Sequence, residues 1–145
     1  MNWAHVHLMI NHFPVVGIFG AAALLIYSLA RKSEEVKRVC FVLFVLLALI
    51  TLAVFFTGQA AEDTVKKLPG VTEAFIDRHE EMADFALVFM GTLGLAALAG
   101  LIFLRASGSI PKWLVIIVLL LSLVTAAVVG LTANLGGQIR HTEVR

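Results

Sequence analysis

Four long apolar runs dominate this sequence and leave few folds open to it. They extend from about Leu8 to Ala30, Val36 to Thr57, Met82 to Leu104 and Ile110 to Ala133. Each approaches the ~20 residues with which a helix crosses ~30 Å of hydrocarbon. Charge inside them is confined to the leading ends, as at Lys37, Arg38, Asp84 and Lys112. Only the first run holds an ionisable residue well inside its bounds, His12.

The rest of the composition points the same way. Of 145 residues, 60% are hydrophobic and 14% charged, with a mean hydropathy of +0.96. A soluble domain carries about 25% charged residues. A chain this short still exposes much of its surface, so a core cannot absorb the surplus. The expected fold class is an all-α membrane protein, with the lipid bilayer as its solvent. A helix satisfies its own backbone hydrogen bonds, as the bilayer requires. The net charge of +1 marks no nucleic-acid binder.

The connections point to one four-helix domain over residues 1–145, with helices at about 8–30, 36–57, 78–104 and 110–134. Arg31 to Arg38 is a short charged link in which Ser33 can cap the second helix, with Glu34 and Glu35 in its first turn. Arg105 to Pro111 is equally tight. Short links make neighbours antiparallel, so an up-down-up-down bundle is the simplest topology. The middle connection, Gly58 to about Glu81, is longer. Its second half either extends the third helix or is cut by a capping box at Asp77-x-x-Glu80. No internal repeat is visible.

Basic residues set the orientation. Arg31, Lys32, Lys37, Arg38, Arg105 and Lys112 are concentrated at the two short links, whereas Lys66, Lys67, Arg78, Arg140 and Arg145 are spread over the long loop and tail. This pattern puts the short links in the cytoplasm and both termini in the periplasm of a bacterial inner membrane. The N-terminus has no Lys or Arg before the first run, so that run is expected to be a retained helix.

On that topology all five histidines gather at one face. His5, His7 and His12 open the first helix, His79 opens the third, and His141 comes after the fourth. An ionisable group within a span is a functional candidate because burying it costs free energy. Neutral imidazole is also a strong ligand for iron, copper and zinc. If residues 5–12 are helical, His7 and His12 stand about 140° apart around the axis and cannot share a metal. Pro14 instead favours a helix starting near Asn11, which would leave His5 to His7 as an extended or kinked entry segment. His5 and His141, near solvent, are individually the least informative.

Two cofactor types fit. A b-type haem needs imidazoles from two helices and charges for its propionates. His12 with His79 could provide the pair, and Arg78 or Arg140 the charges, with His7 and His141 supporting it or holding a second haem. Copper or zinc needs three or four converging ligands, drawn from His5, His7, His79, Glu80 and His141. No HExxH occurs, so a zincin is excluded. The single cysteine, Cys40, and the lack of CxxCH exclude an intramolecular disulfide and covalent c-type haem. Gly91, Gly94, Ala97 and Gly100 on the third helix, and Gly17, Gly20 and Ala21 on the first, would let helices or a flat cofactor approach closely.

His7-Leu8-Met9-Ile10-Asn11-His12-Phe13-Pro14 resembles the opening HPxLVHFP-type motif of a widespread bacterial family of four-helix membrane proteins, classed as a domain of unknown function. Thr57-Gly58, His79 and Gly136-Gly137-Gln138-Ile139-Arg140-His141 match the family's later features. Leu8 stands where the family often has proline, and Asn11 where it often has valine. The resemblance implies a four-helix bundle and marks His7, His12, His79 and His141; it brings no established activity.

The expected function is a cytochrome b-like electron-transfer component rather than a stand-alone enzyme. It would carry electrons between quinone and a periplasmic acceptor such as a cytochrome c, within a larger respiratory or photosynthetic complex. The alternatives are a cofactor-free accessory subunit of a membrane complex and a copper- or zinc-handling protein. No nucleophile–base set supports hydrolysis, and no paired mid-span Gly/Pro breaks support a transporter.

Overall fold

The computed structural model describes residues 2–141 and, within them, is all-helical. The elements are α1 (Trp3–Ile10), α2 (His12–Ala30), α3 (Glu34–Lys66), α4 (Glu73–Ser107) and α5 (Lys112–Arg140). α1 and α2 form one kinked span, so four helices are long and apolar enough to cross a membrane.

The kink has a local cause. Proline at position 14 has no N–H for the Ile10 carbonyl, and the next bond, Val15 N–H to Asn11 O, is stretched to 3.5 Å. Proline does not stop the helix, however. Asn2 caps α1 by accepting the His5 N–H at 2.9 Å, and the chain stays helical from Trp3. Of the two forms expected for the His5 to His7 entry, extended or kinked, the extended one is not formed: the segment is helical, set off by a break at Asn11 from α2, which begins at His12.

The middle connection is shorter than the sequence suggested. α3 passes Gly58 and continues to Lys66, while α4 begins at Glu73, before Asp77. One helical glycine costs only about 1 kcal/mol relative to alanine. The next two turns recover this with Ala60, Ala61 and the Glu62–Lys66 ion pair one turn apart. Ala61 and Ile76 are buried, so the two extensions hold each other and only residues 67–72 make the turn. α5 likewise runs through Gly136 and Gly137 to Arg140. Elsewhere the caps agree with the sequence: Ser33 Oγ accepts the Val36 N–H at 3.3 Å, and Gly108 closes α4 with φ +77°.

The helices form a ring in which α3 packs on α2 and α4, and α5 closes the circle against α4 and α2. Ile18, Leu25, Phe41, Phe44, Met90, Leu93 and Val118 fill the centre. Buried hydroxyls of Ser28, Thr51, Ser122 and Thr125 each donate to a carbonyl of their own helix at 2.7–2.8 Å, so none is left unmatched. The small-residue stripe serves helix packing. A Cβ on Gly94 would fall 2.5 Å from the Ala48 methyl, and one on Gly100 would strike the Phe41 ring. The outward faces are as apolar as the core, with Leu95, Ile102, Trp113 and Leu131 all exposed.

The backbones stand wider apart at one end. α2 approaches α5, whereas its forward extension α1 packs on α3 and, among the described residues, brings no Cα within 8 Å of α4 or α5. This wider spacing, between α1 and the α4–α5 pair, lies at the end of the bundle that carries the α3–α4 turn.

Candidate imidazole site

Two histidines line that end of the bundle, and each is held in the same way. His7 on α1 leans on α3, its Nδ1 3.0 Å from the Val54 carbonyl. Gly58, one helical turn after Val54, lies under the ring; a Cβ there would come within 3.1 Å of His7 Cε1. His79 on α4 leans on α5, its Nδ1 3.0 Å from the Thr132 carbonyl. Gly136, again one turn on, lies under this ring, with the corresponding distance 3.0 Å. In both cases a carbonyl at position i orients the imidazole and glycine at i+4 makes room for it.

Threonines brace the two seats. Thr57 donates to Ala53 and Val54 carbonyls at 2.9 Å and lies 3.4 Å from His7 Nδ1. Thr132 donates to Val128 O at 2.9 Å and across to Met82 O at 3.0 Å, tying α5 to α4 one turn beyond His79.

This arrangement fixes the chemistry of the rings. A carbonyl oxygen only accepts, so in the neutral imidazole Nδ1 carries the proton and Nε2 keeps its lone pair. A metal-ligating histidine is oriented in this way, its second nitrogen bonded to a backbone carbonyl. The rings are half-buried and near enough that a charge on one is felt at the other. One turn from His7 on the same face of the kinked span, Asn11 carries a buried Oδ1 with no hydrogen-bond partner. An unmatched buried acceptor costs free energy and calls for an explanation.

The other residues singled out from the sequence fall elsewhere. His12 does not join His79: it is exposed on the outer face, with Nδ1 3.0 Å from the Leu8 carbonyl of its own span. The five-residue offset explains this, since turning His7 inward turns His12 away. His5 is exposed at the first turn of α1. His141 comes directly after the last residue of α5, is exposed, and donates its backbone N–H to Gly137 O at 3.0 Å. Arg78, next to His79, and Arg140, one turn after Gly136, are exposed on the α4–α5 side and have no ion-pair partner among the described residues. No group of three or more His, Cys, Asp or Glu side chains able to hold a metal ion occurs among the described residues.

The duplicated seat has no signature in the sequence. A carbonyl acceptor has no residue signature, and glycine four positions later is not distinctive in a chain with 11 glycines. No protein-family model, curated protein or solved structure matches this chain.

Proposed function

We propose that the chain is a cytochrome b-like electron-transfer protein of a bacterial inner membrane, in which His7 and His79 would hold a b-type haem. The matched pair of carbonyl-oriented imidazoles, one held between α1 and α3 and the other between α4 and α5 at the same end of the bundle, carries this reading. Two Nε2 lone pairs suit a macrocycle that supplies its own four nitrogens and asks the protein for two. Bare zinc, which needs four ligands, suits them less well. Gly58 and Gly136 keep the rings seated, Asn11 Oδ1 offers an acceptor beside them, and Arg78 and Arg140 are free to meet carboxylates. Bound there, haem iron would carry one electron at a time.

Membrane insertion and orientation belong to the same proposal. The apolar outward faces support insertion. Charge supports the orientation. The α3–α4 end, from Glu62 to Asp84, holds seven carboxylates against three basic side chains, a net −4. The opposite end holds Arg31, Lys32, Lys37, Arg38, Arg105 and Lys112 against Glu34 and Glu35, a net +4. The basic end faces the cytoplasm, leaving both termini and the imidazole seats on the periplasmic side. There the acidic end favours a basic soluble acceptor, a cytochrome c among them. The resemblance to the four-helix family of unknown function is part of this reading.

The test is an absorption spectrum of protein purified from cells supplied with haem. The expected result is a Soret band that shifts on reduction, with one haem per chain. It should be lost in His7→Leu and in His79→Leu and kept in His5→Leu. Absence of iron and of a Soret band in folded protein overturns the proposal.

A further inference from the structure

His12 is the one imidazole inside an apolar run, and the haem reading leaves it unused. It stands exposed on the outer face of the kinked span. With Met9, Phe13, Val16 and Gly17 it borders a shallow groove of about 410 Å³. Gly17 is packed closely on α3, where a Cβ would fall 2.5 Å from Leu47 Cδ2.

One hydrogen bond sets the polarity of this groove. His12 Nδ1 lies 3.0 Å from the Leu8 carbonyl, so it holds the ring proton and Nε2 presents a lone pair. Nε2 has no hydrogen-bond partner among the described residues. An acceptor on an outer face that meets lipid is satisfied by water at the interface or by a donor that resides in the bilayer. Ester carbonyls and quinone carbonyls are themselves acceptors and cannot serve. A hydroquinone can: its hydroxyl donates, and its flat ring matches walls made by Phe13 and Met9.

We propose that the His12 groove binds the head group of a membrane hydroquinone, with His12 Nε2 accepting a hydrogen bond from one ring hydroxyl. The purpose of such a ligand rests on the electron-transfer reading, because the groove is five residues from His7, ~7.5 Å along the axis. Binding itself does not require haem.

The test uses the full chain in phosphatidylcholine nanodiscs, labelled with a photoreactive azido-hydroquinone and mapped by mass spectrometry, with and without bound haem. The label is expected within residues 9–17. Decylhydroquinone should compete for it, and its dimethyl ether, which has no O–H, should not. His12→Phe keeps an apolar wall but removes the acceptor, and should raise the competing concentration at least tenfold. Val16→Trp fills the groove and should abolish labelling; both variants are checked for an unchanged melting temperature. Labelling elsewhere, equal competition by the ether, an unaffected His12→Phe, displacement by phosphatidylethanolamine or cross-linking to a second copy would each overturn the proposal. A retained label without a haem spectrum refutes the haem assignment alone; a haem spectrum without the label refutes the groove alone.

Discussion

At the scale of single residues, the two imidazole seats depend on what is missing as much as on what is present. Gly58 and Gly136 lie close under the rings and leave them room. A Cβ at either position falls in the tight range where the imidazole must give by a few tenths of an ångström. Gly136→Val is therefore expected to weaken haem retention strongly, at an overpacking cost of about 1–3 kcal/mol in stability. Haem titration of the purified variant, with its unfolding midpoint, checks both effects. Thr132→Val removes the hydroxyl that reaches Met82 O but keeps the carbonyl that holds His79. The expected loss is about 0.6 kcal/mol, the average for hydrogen bonds between membrane helices, with the spectrum preserved. Asn11→Leu should move two quantities in opposite directions. Removing a buried, unmatched acceptor should stabilise the apoprotein by about 1–3 kcal/mol, while haem affinity falls if Oδ1 serves the bound group. A variant with lower apoprotein stability would refute this account of Asn11.

At the scale of helices, close approach between α3 and α4 positions everything else. Gly94 against Ala48 and Gly100 against Phe41 bring the two backbones together, and Ala61 and Ile76 are buried where the two helices extend toward the α3–α4 turn. Gly94→Leu should force the pair apart and cost more than Gly91→Leu, because a Cβ at Gly91 meets nothing within 4 Å. Parallel unfolding of both variants in detergent measures the difference; equal losses would mean that the stripe does not hold the helices together. The kink in the first span acts in a different way. Pro14 is buried and breaks one backbone bond, which lets α1 run along α3 while α2 reaches α5. Pro14→Ala should straighten the span, moving His7 relative to Val54 and weakening haem retention more than overall stability.

For the whole molecule, the distribution of charge is bipolar: −3 at the imidazole end, where Arg140 offsets part of the −4 from Glu62 to Asp84, and +4 at the other. With the buried Cys40 replaced by serine, single cysteines at Pro69 and at Ser107 should be labelled from opposite sides of intact cells. Pro69 should react from outside and Ser107 only after permeabilisation. The reverse pattern would invert the proposed orientation. Electron delivery to a basic soluble acceptor should slow as ionic strength rises, because screening over ~8–10 Å weakens steering by the acidic end.

The sequence by itself determined the all-helical class, the number of long apolar helices and the gathering of histidines at one end. These come from hydropathy and chain direction: an apolar run of the right length becomes a helix whatever it packs against, and antiparallel order carries alternate ends to one side. It also carried the reason that His7 and His12 cannot act together, since helical geometry alone separates them. Only the tertiary structure decided which of the two turns inward. That choice lies in how α1 rotates onto α3, and it depends on a backbone carbonyl at Val54 and on room above Gly58, neither of which has a residue code. The extent of α3 and α4 past Gly58 and Asp77 was hidden for a similar reason. Local signals there favoured a break, and burial of Ala61 and Ile76 outweighed them once two distant segments met.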